Sequence, residues 1–408
     1  MLLLAVMSGT ACARTVLVID SWRDDDRAVW EEKIIPAFEA AHPGIELRFR
    51  PSAPTAYDAD LEARLEAGTA GDLIACRAFD VSLALFKAGH LTRLGDLAGL
   101  THFSSTAKSP WQTDDGSSTF CVPVSSVIHG FLYNRQAFDQ LGLDVPETEA
   151  AFFAVLEKFR ADGTWVPLAL GLRDRWEAAT LGYNNIGPNY WKGEEGRRAL
   201  IAGGQKLTDE PWVAPFRTLA QWRPYLGEGY ETRSYHDSQD LFARGHAAIY
   251  PAGSWEIAGF SAQAEFGIGA FPPPTRQADD PCYVSDHTDL AFGLNAASPN
   301  VEAAHVFLNW VASTEFTSLY ATALPGFFPL SDHAVEITDP VARTFLSWRN
   351  RCHSTIRFAS QFLSRGTPDL EQETWDASVA AIAHTVTAEA LSARLQKGLA
   401  GWYVPQMK

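Results

Sequence analysis

Between Arg14 and Asp80 the apolar pattern alternates between two periods, and that alternation constrains the fold more than any other feature. "TVLVI" (15–19) is a β-branched run suited to a strand, followed by the polar loop "SWRDDD" (21–26). "RAVWEEKIIPAFEAAHPG" then sets Val29, Trp30, Ile34, Phe38 and Ala41 on one helical face and stops at Pro43-Gly44. "IELRFR" (45–50) alternates as a second strand, "YDADLEARLEAG" is a helix ending in glycine, and "GDLIACRAF" is a third strand. Strands that alternate with helices predict an α/β fold, a parallel or mixed sheet covered on both faces. Ligands of such sheets bind beyond the carboxyl ends of the strands, which points to "SWRDDD" and "CRAFD".

The later chain continues in the same manner. "TEAAFFAVLEKFRADG" and "PFRTLAQWRPYL" read as helices, and "SQDLFARGHAAIYPAGSW" as helix, glycine, strand and loop. "DLAFGLN" suits a buried strand, after which Ser298-Pro299-Asn300 opens a helix, with Pro299 expected in its first turn. From about Asp332 the chain reads as helical. No linker interrupts its 408 residues, so two domains would have to share more than one chain crossing.

A formal charge of −16 argues against a nucleic-acid groove or an anionic membrane face. With 46% hydrophobic and 20% charged residues, the chain has ample core material. The start, "MLLLAVMSGTACA", has a short apolar run and a small-x-small site at Ala11-Cys12-Ala13. It reads as an export signal over residues 1–13 cleaved after Ala13, with lipidation at Cys12 or a buried first strand as alternatives. No Lys or Arg precedes the apolar run, as would follow from a start codon placed too late. Cys76, Cys121, Cys282 and Cys352 remain after cleavage. In an exported protein they can pair in three ways; neighbour pairing, Cys76 with Cys121 and Cys282 with Cys352, is the expectation, and four buried thiols the alternative.

Catalytic and metal motifs are weak. Asp24, Asp25 and Asp26 are adjacent on one loop and cannot all face one ion unaided, so no metal is expected there. There is no His-x-x-x-His pair, nucleophile elbow or phosphate loop, and no cofactor is expected. The aromatic load is more informative. Of thirteen tryptophans, Trp22, Trp176, Trp191 and Trp255 fall in loops, three of them beside charged or hydroxyl neighbours. Indoles rimmed by polar groups suit a sugar, which has flat C–H faces and a hydroxyl edge.

Several ordered pieces resemble the extracellular solute-binding proteins of family 1, the sugar receptors of ATP-binding-cassette importers. They are "WEEKIIPAFEAAHPGIELRF", "LEAGTAGDLI", "FKAGHLTRLGDL", "VPVSSVIHGFLYNRQAFDQLGL", "LFARGHAAIYPAGSW", "GLNAASPN" and "LPGFFPLSD". The resemblance implies a type II periplasmic-binding-protein fold: two lobes, a three-segment hinge and a ligand cleft between them. Lobe one would comprise 14–125 and 286–326, lobe two 127–284 and 329–408. The implied ligand-binding residues are Trp22, Arg23 and Asp24; Arg77, Phe79 and Asp80; Ser125 and Ser126; Trp176 and Trp255; Asp286 and His287; and Phe327 and Phe328. Cys76 and Phe79 depart from the maltose receptor's pattern, so maltose itself is not expected. The implied role is capture of a mono- to oligosaccharide or sugar derivative by a periplasmic monomer, free or lipid-anchored, that delivers it to an inner-membrane permease. A receptor for a glycerophosphodiester, sugar sulfonate or polyol is the alternative, and a secreted carbohydrate-active enzyme a further one.

Overall fold

A computed structural model of the chain describes residues 14–407. The export segment, its cleavage and Cys12 lie outside the described residues. Among the described residues no helix is long and apolar enough to cross a membrane.

The expected alternation is present at the start. Strand β1 (Thr15–Ser21) runs parallel to β2 (Ile45–Pro51) and to β3 (Leu73–Cys76). Helical residues 27–41, with a π-helical turn at Trp30–Ile34, and the helix Tyr57–Glu66 make the crossovers. Trp30 is fully buried and stacks on Phe49 at 4.7 Å, which holds the first crossover to the sheet. The third strand is shorter than its sequence pattern, so Arg77 already belongs to the loop beyond it.

Two long strands then organise the molecule. β4 (Val122–Asn134) is almost wholly buried and changes neighbours along its length. Up to Ile128 it lies antiparallel to β8 (Tyr283–Leu294) and to the short β9 (Phe328–Pro329). From His129 it pairs with β6 (Ala247–Gly253), and from Phe131 also with β7 (Ile268–Phe271). β5 (Val166–Leu168) adds parallel to β6 and β10 (His353–Thr355) parallel to the start of β8. The far end of β8 runs antiparallel to β3. Within one continuous buried core, aromatic groupings around Trp30, Phe38, Phe292 and Phe307 and around Phe131, Phe152, Trp222 and Phe271 mark two lobes. The cleft lies between these two lobes.

Both neighbour disulfides form, Cys76–Cys121 and Cys282–Cys352. Gly293 packs against the first; a Cβ there would sit 2.9 Å from each sulfur.

Two local expectations are corrected. The helix after β8 is Val301–Val311 with Asn300 as its N-cap residue, so Pro299 precedes the helix instead of entering its first turn. The reason lies in tertiary bonds: Ser298 Oγ and Asn300 Nδ2 donate to Asp72 Oδ1 (2.6 and 3.0 Å), and Asn295 Nδ2 donates to Gly71 O (2.8 Å). These fasten the returning chain to the start of β3. The stretch from Asp332 is not uniformly helical either. It contains β10 and the irregular residues 356–369, whose polar groups bond to other elements rather than along a helix.

Candidate functional site

A cavity of about 170 Å³ opens between the lobes. It is floored by β8 and walled by the loops after β1, β3 and β6, the helix Tyr235–Ala243, and residues 357–375. It lies at strand ends, where an α/β sheet leaves side chains free to converge.

Trp22 is 4% exposed and tilts against Tyr57 at 5.5 Å. The Arg77 guanidinium covers the Trp22 ring at 4.7 Å, while Asp58 (2.8 Å) and Pro54 O (3.0 Å) hold its nitrogens. Arg23 forms a two-point pair with Asp26 (2.6 and 3.0 Å) and lies over Phe327 at 4.8 Å. Burial works against the Arg23 charge, yet Asp26, with Asp25 and Asp289, holds it above its ordinary value. Phe79 has φ of 62°, a left-handed conformation that is costly for a bulky residue, at the start of the helix Asp80–Lys87.

On the opposite wall Trp176 meets Tyr235 edge-on at 4.7 Å, and Trp255 Nε1 donates to Tyr235 Oη (3.0 Å). Trp255 is only 8% exposed. Its ring lies directly over Gly253, where any Cβ would overlap it, so that glycine is what lets the indole fold back toward the cavity. Behind it Glu256 accepts from Tyr235 Oη (2.6 Å), Tyr250 Oη (3.2 Å) and Gln239 Nε2 (2.9 Å). Burial, reinforced by Asp25, pushes Glu256 up to about 7.

His287 reaches the cavity from β8 and faces His129, with their Nε2 atoms 2.9 Å apart. Burial drives both imidazoles well below the usual value, and Arg357 adds to the effect. Both are therefore neutral near pH 7, and with Thr180 O at 3.1 Å from His129 Nδ1 and Thr288 O at 3.0 Å from His287 Nδ1 the two rings have two N–H groups for three contacts.

Trp22, Arg23, Arg77, Phe79, Trp176, Trp255 and His287 thus line the cavity. Asp24, Asp80, Ser125, Ser126, Asp286, Phe327 and Phe328 do not, because most are committed elsewhere. Asp80 accepts from Arg365 Nε (2.6 Å) and Phe362 N (3.2 Å). Asp286 takes both ends of Arg349 (2.8 Å each), which also donates to Ser126 Oγ (2.8 Å). Ser125, Phe327 and Phe328 are buried at the strand crossings, and Asp24 sits beside His236 (3.8 Å) at the cavity's edge.

Sequence reasoning missed Asp25, Asp58, Thr180, Tyr235, Thr288, Asp289, and the group Arg357, Asp369, Glu371 and Trp375, all cavity-lining. Among the described residues, Asp289 Oδ2, Thr288 Oγ1, Arg357 Nε and Trp375 Nε1 are buried without a hydrogen-bond partner in the chain. Burial pushes Asp289 up, against the pull of Arg23, Arg357 and Arg77. Such groups are costly unless something in the cavity satisfies them. A signal existed for Arg357: "RFASQFLSRGTPD" (357–369) lacks helical periodicity, and long irregular segments in compact folds are often functional.

The bacterial extracellular solute-binding protein family model matches residues 22–317. The chain belongs to that family. A relative named multiple sugar-binding protein, from Streptococcus mutans serotype c, is 25% identical over 300 residues, 71% of this chain and 69% of its own. A probable sugar-binding periplasmic protein of Mesorhizobium japonicum is 26% identical over 187 residues, 43% of this chain and 41% of its own. The fold matches a solved chitin oligosaccharide binding protein with a TM-score of 0.80 at 22% identity, covering 97% of this chain and all of that one. SBP RafE in complex with raffinose matches at 0.75 and 20%, covering 97% and 100%. Solute-binding proteins of this fold place their cleft between two lobes, as this chain does.

Proposed function

We propose that the chain is the substrate-binding protein of a carbohydrate importer of the ATP-binding-cassette type, and that it takes an uncharged mono- to oligosaccharide. The observation that carries this is the pairing, in one cavity, of indoles with unsatisfied polar atoms of both kinds. Trp22, Trp176, Trp255 and Trp375 offer flat apolar faces. Arg357 Nε and Trp375 Nε1 offer donors, Asp289 Oδ2 an acceptor, and Thr288 Oγ1 either. A sugar ring needs these together. The relatives named for sugar binding support the same reading.

Charge favours a neutral ligand. Arg23 is held by Asp26 and Arg77 by Asp58, and Arg357, whose Nε remains an open donor, has its charge offset by Glu371 at 3.7 Å. Asp25, Asp289 and Asp369 remain in excess. An anionic glycerophosphodiester or sulfonate would meet net repulsion.

In this reading lobe one comprises 14–125 and 286–326, lobe two 127–284 and 329–408, and the exported monomer closes around its ligand before meeting an inner-membrane permease. The ring faces would rest on Trp22 and Trp255, and the crossings near Ser125, Asp286 and Phe327 would serve as hinges without touching ligand. It acts as a receptor and not an enzyme.

A thermal-shift panel of neutral saccharides, amino sugars, uronates, sugar phosphates and sulfonates tests the proposal, followed by product analysis. A neutral saccharide should raise the unfolding midpoint by mass action and be recovered intact. Stabilisation by anionic solutes alone, or recovery of cleaved sugar, would overturn it.

A further inference from the structure

We propose that His102, Asp332 and His333 form a binding site for a divalent transition-metal ion of the zinc, copper and nickel class, separate from the cleft. The three side chains come from two distant stretches of the chain. His102 closes the 3₁₀ turn Ala98–His102, while Asp332 and His333 follow β9. Backbone bonds fix the two stretches side by side: Asp332 N–H donates to His102 O (2.9 Å), and Phe103 bridges Ser331.

The donor atoms converge. His102 Nδ1 is 3.1 Å from Asp332 Oδ1, His333 Nδ1 is 4.0 Å from the same oxygen, and the two imidazole centroids are 4.4 Å apart. The three ligand atoms lie within 4.8 Å of one another. His333 is also oriented from behind. Its Nε2–H donates to Ala312 O (2.9 Å), which leaves Nδ1 unprotonated; there it accepts from Thr314 Oγ1 (3.1 Å), a contact that a bound ion would displace. A backbone carbonyl that sets the tautomer in this way is the usual support of a metal-ligating histidine.

The donor set selects the ion. Two imidazoles and one carboxylate suit zinc, copper or nickel, whereas calcium and magnesium prefer oxygen shells. Bonds of about 2.0–2.2 Å need donor separations near 3–3.5 Å. His102 and Asp332 already meet that distance. Asp332 is 69% exposed and can swing toward His333 at little cost. Three protein ligands leave the remaining positions to water. A bound ion would cross-link the 98–102 turn to the chain just beyond the third strand crossing.

The test uses the untagged full-length chain, stripped with chelator and dialysed, with Zn²⁺, Cu²⁺ and Ni²⁺ as probes in equilibrium dialysis and calorimetry. One ion should bind per chain, with affinity falling roughly tenfold or more in His102→Ala and in His333→Ala. His305→Ala and His236→Ala should bind as the parent does. Metal-free unfolding midpoints of all four variants, compared with the parent, separate lost ligation from lost folding. Absence of binding in the parent, or full binding by the folded His102→Ala/His333→Ala double variant, would overturn the proposal. So would loss confined to His236→Ala, which would move the ion to Asp24, Asp25 and His236. Metal binding here is independent of saccharide binding, so failure of either leaves the other standing.

Discussion

Trp255 carries two roles that sequence reasoning treats as exclusive. It is nearly buried, as a core tryptophan is, yet it lines the cavity while His129 meets its ring edge-on at 5.3 Å. Trp255→Ala should therefore cost both properties. Apo stability should fall by about 3 kcal/mol through the cavity left behind. Saccharide affinity should fall roughly tenfold, about 1.4 kcal/mol, through the lost stacking. Denaturant unfolding and calorimetry measure the two separately, and unchanged affinity would remove Trp255 from the site. Its neighbour Glu256 makes stability depend on pH. Its folded-state value of about 7 lies above the ordinary 4.5, so the native state holds a proton that the unfolded chain releases. That contribution is fully present below about pH 4.5 and is lost as pH rises through 7. Between pH 5 and 8 the group should account for about 3 kcal/mol of declining stability, and Glu256→Gln should flatten the decline. Parallel pH profiles for parent and variant would refute this.

At the scale of elements, the irregular stretch 356–369 borders the cavity and is tied to two distant elements. Arg365 donates to Asp80 (2.6 Å) at the start of the helix Asp80–Lys87, and to both oxygens of Asp114 (2.8 Å each). Burial opposes the Arg365 charge, but the two carboxylates hold it above its ordinary value. Gln361 and Phe362, both at positive φ, turn the chain so that Arg365 reaches across. Arg365→Ala should weaken ligand binding about two- to fivefold, the modest effect of a half-exposed ion network, mostly by faster dissociation. The parent's affinity should decline with added salt and the variant's much less. Equal dissociation rates would show that the tie does not hold the cleft shut.

For the whole molecule, the strand crossings make relative lobe motion the natural response to ligand. Small-angle scattering should record a smaller radius of gyration with saccharide than without it. A tight ligand that leaves the radius unchanged would argue for a rigid receptor. The two-lobed fold that permits this motion was implied by the family resemblance, whereas the alternation of strands and helices was legible because its signals are local. Periods of two and near 3.6 and glycine stops can each be read within about twenty residues. The loops that follow β1, β3 and β6 were legible for the same reason, and with them Trp22, Arg77 and Trp255. The other half of the cavity was not. Thr288 and Asp289 sit within a strand whose pattern announces only burial, and Arg357, Glu371 and Trp375 come from the far end of the chain. Which face of β8 opens to the cleft depends on its register with β3 and β4, and where residues 356–369 fall depends on bonds to Asp80 and Asp114. Sequence by itself determined the early alternation of strands and helices, since this follows from short-range periodicity, but not the short strands β5, β9 and β10 or the irregular 356–369. Only the tertiary structure decided which polar atoms stay unpaired in the cleft, because satisfaction of a buried group depends on partners hundreds of residues away.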